Sequence, residues 1–131
     1  MNTLVIDTNA RCEMIDITAR VAEAVRRAGI RDGVCHVFTP HTTAAITINE
    51  NADSDVPRDM LTVLDRIVPL SGAYRHAEGN TAAHVKASLL GASQTVLIKD
   101  AGLVLGTWQA LFFCEFDGPR TRKVLVGLTA G

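Results

Sequence analysis

Cysteine is scarce in this chain, positive charge has no surplus, and apolar runs stay short. Among 131 residues there are 3 cysteines, Cys12, Cys35 and Cys114. They are odd in number, far apart and set in apolar or strand-like surroundings, with no C-x-x-C or C-x-x-H spacing, so they read as small packing residues rather than as a zinc or redox site. Lysine and arginine total 13 against 14 acids, a net charge of -1. That balance supplies no excess of cations to displace counterions from a nucleic-acid backbone, and no nucleic-acid partner is expected. No apolar stretch approaches the roughly 20 residues that span a bilayer, so no membrane partner is expected either. The N-terminus lacks the basic start, apolar block and small-residue cleavage site of a secretory signal, which makes the cytoplasm the expected compartment. Serine nucleophile elbow, P-loop and dinucleotide glycine motifs are all missing, as are repeats, linkers and low-complexity segments. One domain over residues 1–131 is the expectation, at a length that buries a core without staples.

Within that domain, strand-like segments outnumber helices. Residues 2–8 and 11–17 read as two strands in or near a hairpin. Thr18 then stands as an N-cap before Val21, Ala24, Val25 and Ala28 at helical spacing, with Gly29 as the stop. Residues 34–39 and 42–49 are β-branched strands separated by Pro40. Asp53, Ser54 and Asp55 open a second helix, with Pro57 in its first turn and Val56, Met60, Val63, Leu64 and Ile67 as its apolar stripe. Asn80 caps a third helix in which Ala82, Val85 and Leu89 form the buried stripe, ending at Gly91. Residues 94–98, 107–116 and 122–128 complete the strands, and Asp117-Gly118-Pro119 is the turn between the last two.

The chemistry concentrates around three of the 4 histidines. His84 falls four residues after Asn80, on the helical stripe shared with Ser88, and His76 lies on the loop leading to that helix. Gly79 allows close backbone approach, and the free N–H groups of a helix start favour an anion such as phosphate. The plainer alternative is a capped helix with two surface histidines. His41 begins a strand whose alternation puts it beside Thr43, Ala45, Thr47 and Asn49, a small polar face that either leaves room for a ligand or simply meets solvent. His36, between Cys35 and Val37, reads as structural. Three neutral imidazoles with an acid also suit a divalent metal such as zinc. Glu50, Glu78 and Glu115 are the candidate acids, and Asp53, Asp55 and Asp59 are weaker candidates for magnesium because first-turn acids commonly stabilise a helix start. Glu115 interrupts the apolar face formed with Gln109, Leu111 and Phe113, so it needs a partner, and Arg120 across the turn is one; that pairing would be structural.

Taken in order, Pro40-His41-Thr42-Thr43-Ala44, Ile48-Asn49-Glu50-Asn51, Asp53-Ser54-Asp55-Val56, His76, Glu78-Gly79-Asn80, Ala83-His84, Gly106-Thr107-Trp108-Gln109 and Glu115-Phe116-Asp117-Gly118-Pro119-Arg120 resemble the YjbQ family, also called UPF0047. The likeness spans almost the whole chain, and Ser54 stands where the family often has proline. The resemblance implies an α+β fold, an antiparallel sandwich-like sheet with about three helices, assembled as a homotrimer. It implies that His41, His76 and His84 converge near a subunit boundary with Asn80, Glu50 and Glu115. It further implies a secondary thiamine-phosphate synthase activity, in which hydroxymethylpyrimidine diphosphate is joined to a thiazole phosphate with loss of pyrophosphate. On that reading His41, His76, His84 and Glu115 are catalytic. Thr42, Thr43, Glu50, Gly79, Asn80, Trp108, Gln109 and Arg120 hold a small phosphorylated molecule. A zinc- or magnesium-dependent hydrolase or lyase using the three histidines, and a trimer that binds a small anion without chemistry, are the rival expectations.

Overall fold

The computed structural model describes residues 1–131. Eight strands and three helices follow one another as β1 (Asn2–Asp7), β2 (Glu13–Asp16), α1 (Thr18–Ala28), β3 (Gly33–Phe38), β4 (Ala44–Glu50), α2 (Asp55–Ile67), α3 (Thr81–Leu90), β5 (Ser93–Lys99), β6 (Gly102–Leu103), β7 (Gln109–Glu115) and β8 (Thr121–Ala130). All pairings are antiparallel, in a five-stranded sheet β1-β8-β3-β5-β6 and a three-stranded sheet β2-β7-β4. The architecture is α+β, and no helix is long and apolar enough to cross a membrane.

Period-2 alternation in β7 builds two cores from one strand. Leu111 and Phe113 face the larger sheet and join Val37, Val124, Val126 and the α1 residues Val21 and Val25. Ala110, Phe112 and Cys114 face the other way, where Leu64 of α2 and Ala83 and Ala87 of α3 cover them. Cys35 and Cys114 are fully buried, and burial pushes their thiols up to about 11 and about 12. Cys12 is partly buried, and all three are free thiols.

The tertiary structure corrects several local expectations. Residues 2–8 and 11–17 are not hairpin partners, because β1 pairs with β8 and β2 with β7 in the other sheet. Likewise β7 and β8 lie in different sheets, so Asp117-Gly118-Pro119 is a crossing between layers rather than a hairpin turn. Gly118 is required there: a Cβ would collide with the Ala10 carbonyl oxygen and come within 2.8 Å of the Thr8 hydroxyl. Thr18 is the first helical residue and Ile17 the cap. The Thr18 hydroxyl accepts the Leu111 N–H at 2.9 Å, tying α1 to β7 instead of capping its own helix.

The apolar stripes of α2 and α3 are also only partly used. Leu64 is buried, whereas Val63 and Ile67 are 49% and 64% exposed. In α3 Ala82 is buried as expected, but Val85 and Leu89 face outward, and Ala83, Lys86 and Ala87 are buried instead. The reason is steric: Ala45 of β4 offers no side-chain bulk, so the helix packs close through its own alanines and its larger residues turn away. Lys86 is tolerated because it forms an ion pair with Asp65 and its Nζ lies 5.8 Å from the Phe116 ring centre.

Candidate functional site

Three chain segments meet at one end of the sheets. Residues 39–43 leave β3 and turn into β4, residues 76–80 lead into α3, and residues 117–120 cross from β7 to β8. Together they line a cavity of about 410 Å³ without a single hydrophobic residue. His41, Thr42 and Thr43 come from the first segment, His76, Glu78 and Asn80 from the second, His84 from α3, and Asp117, Arg120 and Arg122 from the crossing and β8. A wider cavity of about 600 Å³ adjoins it, sharing Pro40, His41, Thr42 and His84 and adding Phe38, Ala44, Ala87 and Ser88.

His41 lies in the turn before β4, so the expected strand face does not carry it. The small residue Ala45 on that face leaves no opening, since α3 covers it. His41 instead borders the cavity from the turn, its Nε2 accepting the Lys123 backbone N–H at 2.9 Å. Burial and then the positive charge of Arg122 push this imidazole below its ordinary value, with Arg120 and Lys123 acting in the same direction and Glu115 opposing.

At the opening of α3, Gly79 adopts a left-handed φ of 77°, which turns the loop into the helix. Asn80 holds the cap position, but its side chain makes no capping bond. Its Nδ2 donates to Asp117 Oδ2 at 2.9 Å, and its buried Oδ1 has no partner. The His76 and His84 rings stand edge to face with centres 5.4 Å apart, and His76 Nε2 lies 3.8 Å from Glu78 Oε2.

Both arginines are clamped along one edge. Arg120 donates from Nε to the Asp117 carbonyl at 3.0 Å and from Nη2 to Asp117 Oδ2 at 3.2 Å. Arg122 donates from Nε to Glu115 Oε1 at 2.8 Å, from Nη2 to Glu115 Oε2, and from Nη2 to the Thr43 hydroxyl at 2.8 Å. In each guanidinium Nε and Nη2 are taken by the chain and only Nη1 makes no hydrogen bond within it, so one nitrogen per arginine remains for a ligand at the cavity wall.

Glu115 is fully buried and pairs with Arg122, not with Arg120 as the turn spacing suggests. Its other acceptor sites take the Thr8 hydroxyl at 2.8 Å and the Asp117 N–H at 3.0 Å. Burial favours the neutral acid, but the hydrogen bonds from Arg122, Asp117 and Thr8 outweigh it and hold the carboxyl below the usual range. Glu115 therefore stands behind the cavity, setting Arg122 and the crossing. Glu50, Trp108 and Gln109 lie elsewhere. Glu50 pairs with Gln109 at the end of β4 opposite Ala44, about 20 Å away at the rise of a strand. Trp108 is 63% exposed, and Gln109 Oε1 accepts the Gly106 N–H at 2.8 Å.

Residue spacing does not mark Arg122 or Asp117 as part of the site. Arg122 had a legible signal: strand alternation places it on the same face as Val124 and Val126, an arginine in an apolar row that demands a buried acid. Asp117 had none, since its role depends on the crossing. No three His, Cys, Asp or Glu side chains are grouped so as to hold a metal ion between them, and the His41 Nε2 lone pair is already engaged by Lys123.

The family model described as UPF0047 protein YjbQ-like matches residues 2–131. The chain belongs to the YjbQ-like UPF0047 family. Among its relatives, UPF0047 protein YugU of Bacillus subtilis is 54% identical over 96% of this chain and 96% of its own length. A UPF0047 protein of Methanocaldococcus jannaschii is 49% identical over 92% of this chain and 88% of its own. The crystal structure of a YjbQ/UPF0047 protein from Clostridium acetobutylicum is 52% identical, with a TM-score of 0.97 over 98% of this chain and 100% of that one. A relative from Sulfolobus solfataricus, described as of unknown function, has a TM-score of 0.95 at 34% identity, covering 99% of this chain and 96% of its own. The YjbQ-like architecture is thus the one found here, with α+β layers and antiparallel sheets.

Proposed function

We propose that this protein is an enzyme acting on a phosphorylated small molecule, and that the reaction is thiamine-phosphate synthesis. The observation that carries the reading is the polar cavity bordered by Arg120, Arg122, three histidines and the opening of α3. Such donors suit the oxygens of a phosphate or diphosphate, and Asp117 and Glu115 hold the two guanidinium groups in place before a ligand arrives, each with Nη1 free. In the proposed reaction the thiazole nitrogen attacks the methylene carbon of the pyrimidine diphosphate. A C–N bond forms, the C–O bond to diphosphate breaks, and pyrophosphate leaves with the bonding electrons. Arg120 and Arg122 stabilise the charge that grows on the leaving group, and His84 exchanges protons with it.

Calorimetric titration with inorganic pyrophosphate tests the anion site. Arg120→Ala is expected to weaken binding by about tenfold to a hundredfold, the loss of one charge-assisted hydrogen bond. Equal affinity in parent and variant would remove Arg120 from the site. Pyrophosphate binding without turnover of the two precursors would reduce the protein to an anion-binding module.

The assembly we propose is a homotrimer. An exposed apolar row on α2, Val63 and Ile67 beside the half-buried Val56 and Met60, supports burial of that face against a second copy. Sedimentation equilibrium is expected to return three chains, and Val63→Glu to lower that mass. A monomeric parent protein would overturn the proposal.

A further inference from the structure

We propose that the main chain of β8 locks His41 as the neutral Nδ1–H tautomer, so that this ring serves the site as a hydrogen-bond donor and leaves proton exchange to His84. The donor role rests on the phosphorylated-ligand reading above; the tautomer does not. A backbone N–H only donates. With the Lys123 nitrogen 2.9 Å from Nε2, that ring nitrogen must present its lone pair, and the single hydrogen of a neutral imidazole then sits on Nδ1.

The lock has a structural cause. Strand β3 accompanies β8 only as far as Phe38, which stands opposite Leu125. Beyond that point the ladder stops, and the backbone groups of Lys123 on that side need other partners. Two side chains from the β3–β4 turn take over. Thr39 Oγ1 donates to the Lys123 carbonyl at 3.3 Å, while His41 accepts from its N–H. Protonating Nε2 would set two donors against each other and strand a backbone N–H.

The charges around the ring act in the same sense. Arg122 and Lys123 of β8 and Arg120 of the crossing oppose a cationic imidazole, and only Glu115 of β7, itself paired with Arg122, favours one. His84 of α3, His76 and Glu78 of the loop, and Asp117 of the crossing complete the titratable groups on the same cavity. His41 Nδ1 makes no hydrogen bond within the chain, and the ring borders both cavities. It therefore offers N–H to a ligand oxygen and cannot accept a proton or coordinate a cation through Nε2 without releasing Lys123. His84 has neither ring nitrogen engaged by the chain, which fits it for proton exchange.

Long-range proton–nitrogen NMR spectra of the histidine rings in ligand-free, 15N-labelled protein decide the tautomer. Assignment uses His41→Asn, cross-checked with His76→Gln and His84→Gln. The expected result is a His41 ring with Nδ1 protonated and Nε2 bare, unchanged as the pH passes down through the ordinary histidine value of about 6.5. An Nε2–H tautomer, or titration at or above that value, would overturn the lock. Adding saturating inorganic pyrophosphate is then expected to shift the His41 Nδ1 signal. A shift at His84 with none at His41 would overturn the donor role. Silence from every ring would overturn the donor role together with the phosphate reading, while the ligand-free spectrum still judges the tautomer separately.

Discussion

Replacing Glu115 with alanine is expected to destabilise the fold by about 3–5 kcal/mol, because it leaves the Arg122 guanidinium buried without its counter-charge. Glu115 and Arg122 are 0% and 2% exposed, so little water reaches the face of the guanidinium that Glu115 holds. The damage extends further than one pair: the Asp117 N–H loses its acceptor at the same time, and the Thr8 hydroxyl keeps only the Arg120 carbonyl at 3.0 Å. Urea unfolding followed by circular dichroism measures the loss. The double variant Glu115→Leu with Arg122→Met is expected to recover much of it, since no orphaned charge remains. A single variant as stable as the parent would show that the pair contributes nothing. The pH dependence has a definite sign. The folded carboxyl titrates below its unfolded value, so its contribution is complete above about 4.3 and is lost as the pH falls from there through the depressed folded value. Removing Glu115 should flatten that acid limb of the stability curve.

If the protein has the thiamine-phosphate synthase activity proposed above, His84→Ala is expected to lower product formation from the two phosphorylated precursors by about 10²–10⁴-fold, the usual contribution of a positioned general acid or base. The ring borders both cavities, stands edge-on to His76 and has no hydrogen bond within the chain. Steady-state kinetics should place the loss in kcat, with pyrophosphate affinity changed much less, because both arginines remain. Undiminished product formation would end the role assigned to His84. An equal fall in affinity and turnover would make it a binding group instead.

Several parts of this arrangement were legible in the chain alone. Helical spacing located α1, α2 and α3, and alternation in residues 107–116 marked Glu115 as a carboxylate in an apolar face. The motif around His41, His76 and His84 carried the family resemblance. Other parts were not legible, for identifiable reasons. Turn chemistry at Asp117-Gly118-Pro119 is the same whether the next strand pairs with the last or crosses to another sheet, so it does not tell whether Arg120 or Arg122 meets Glu115. The pairing of Lys86 with Asp65 and the choice of alanines as the buried face of α3 depend on how near the helix lies to β4, which no single helix encodes. Glu50, Trp108 and Gln109 share the family motifs with the histidines, yet strand register carries them to the far end of β4 and β7.

The sequence by itself determined the three helices, every strand but the short β6, the α+β class, the family and the identity of the three cavity histidines, because periodicity and local motif are properties of neighbouring residues. Only the tertiary structure decided which acid holds which arginine, which face of α3 is buried, and which nitrogen of His41 is free. Those outcomes depend on where β3 stops beside β8 and where β7 changes sheet, and backbone hydrogen-bonding groups left unpaired at such ends must find partners from segments remote in the chain.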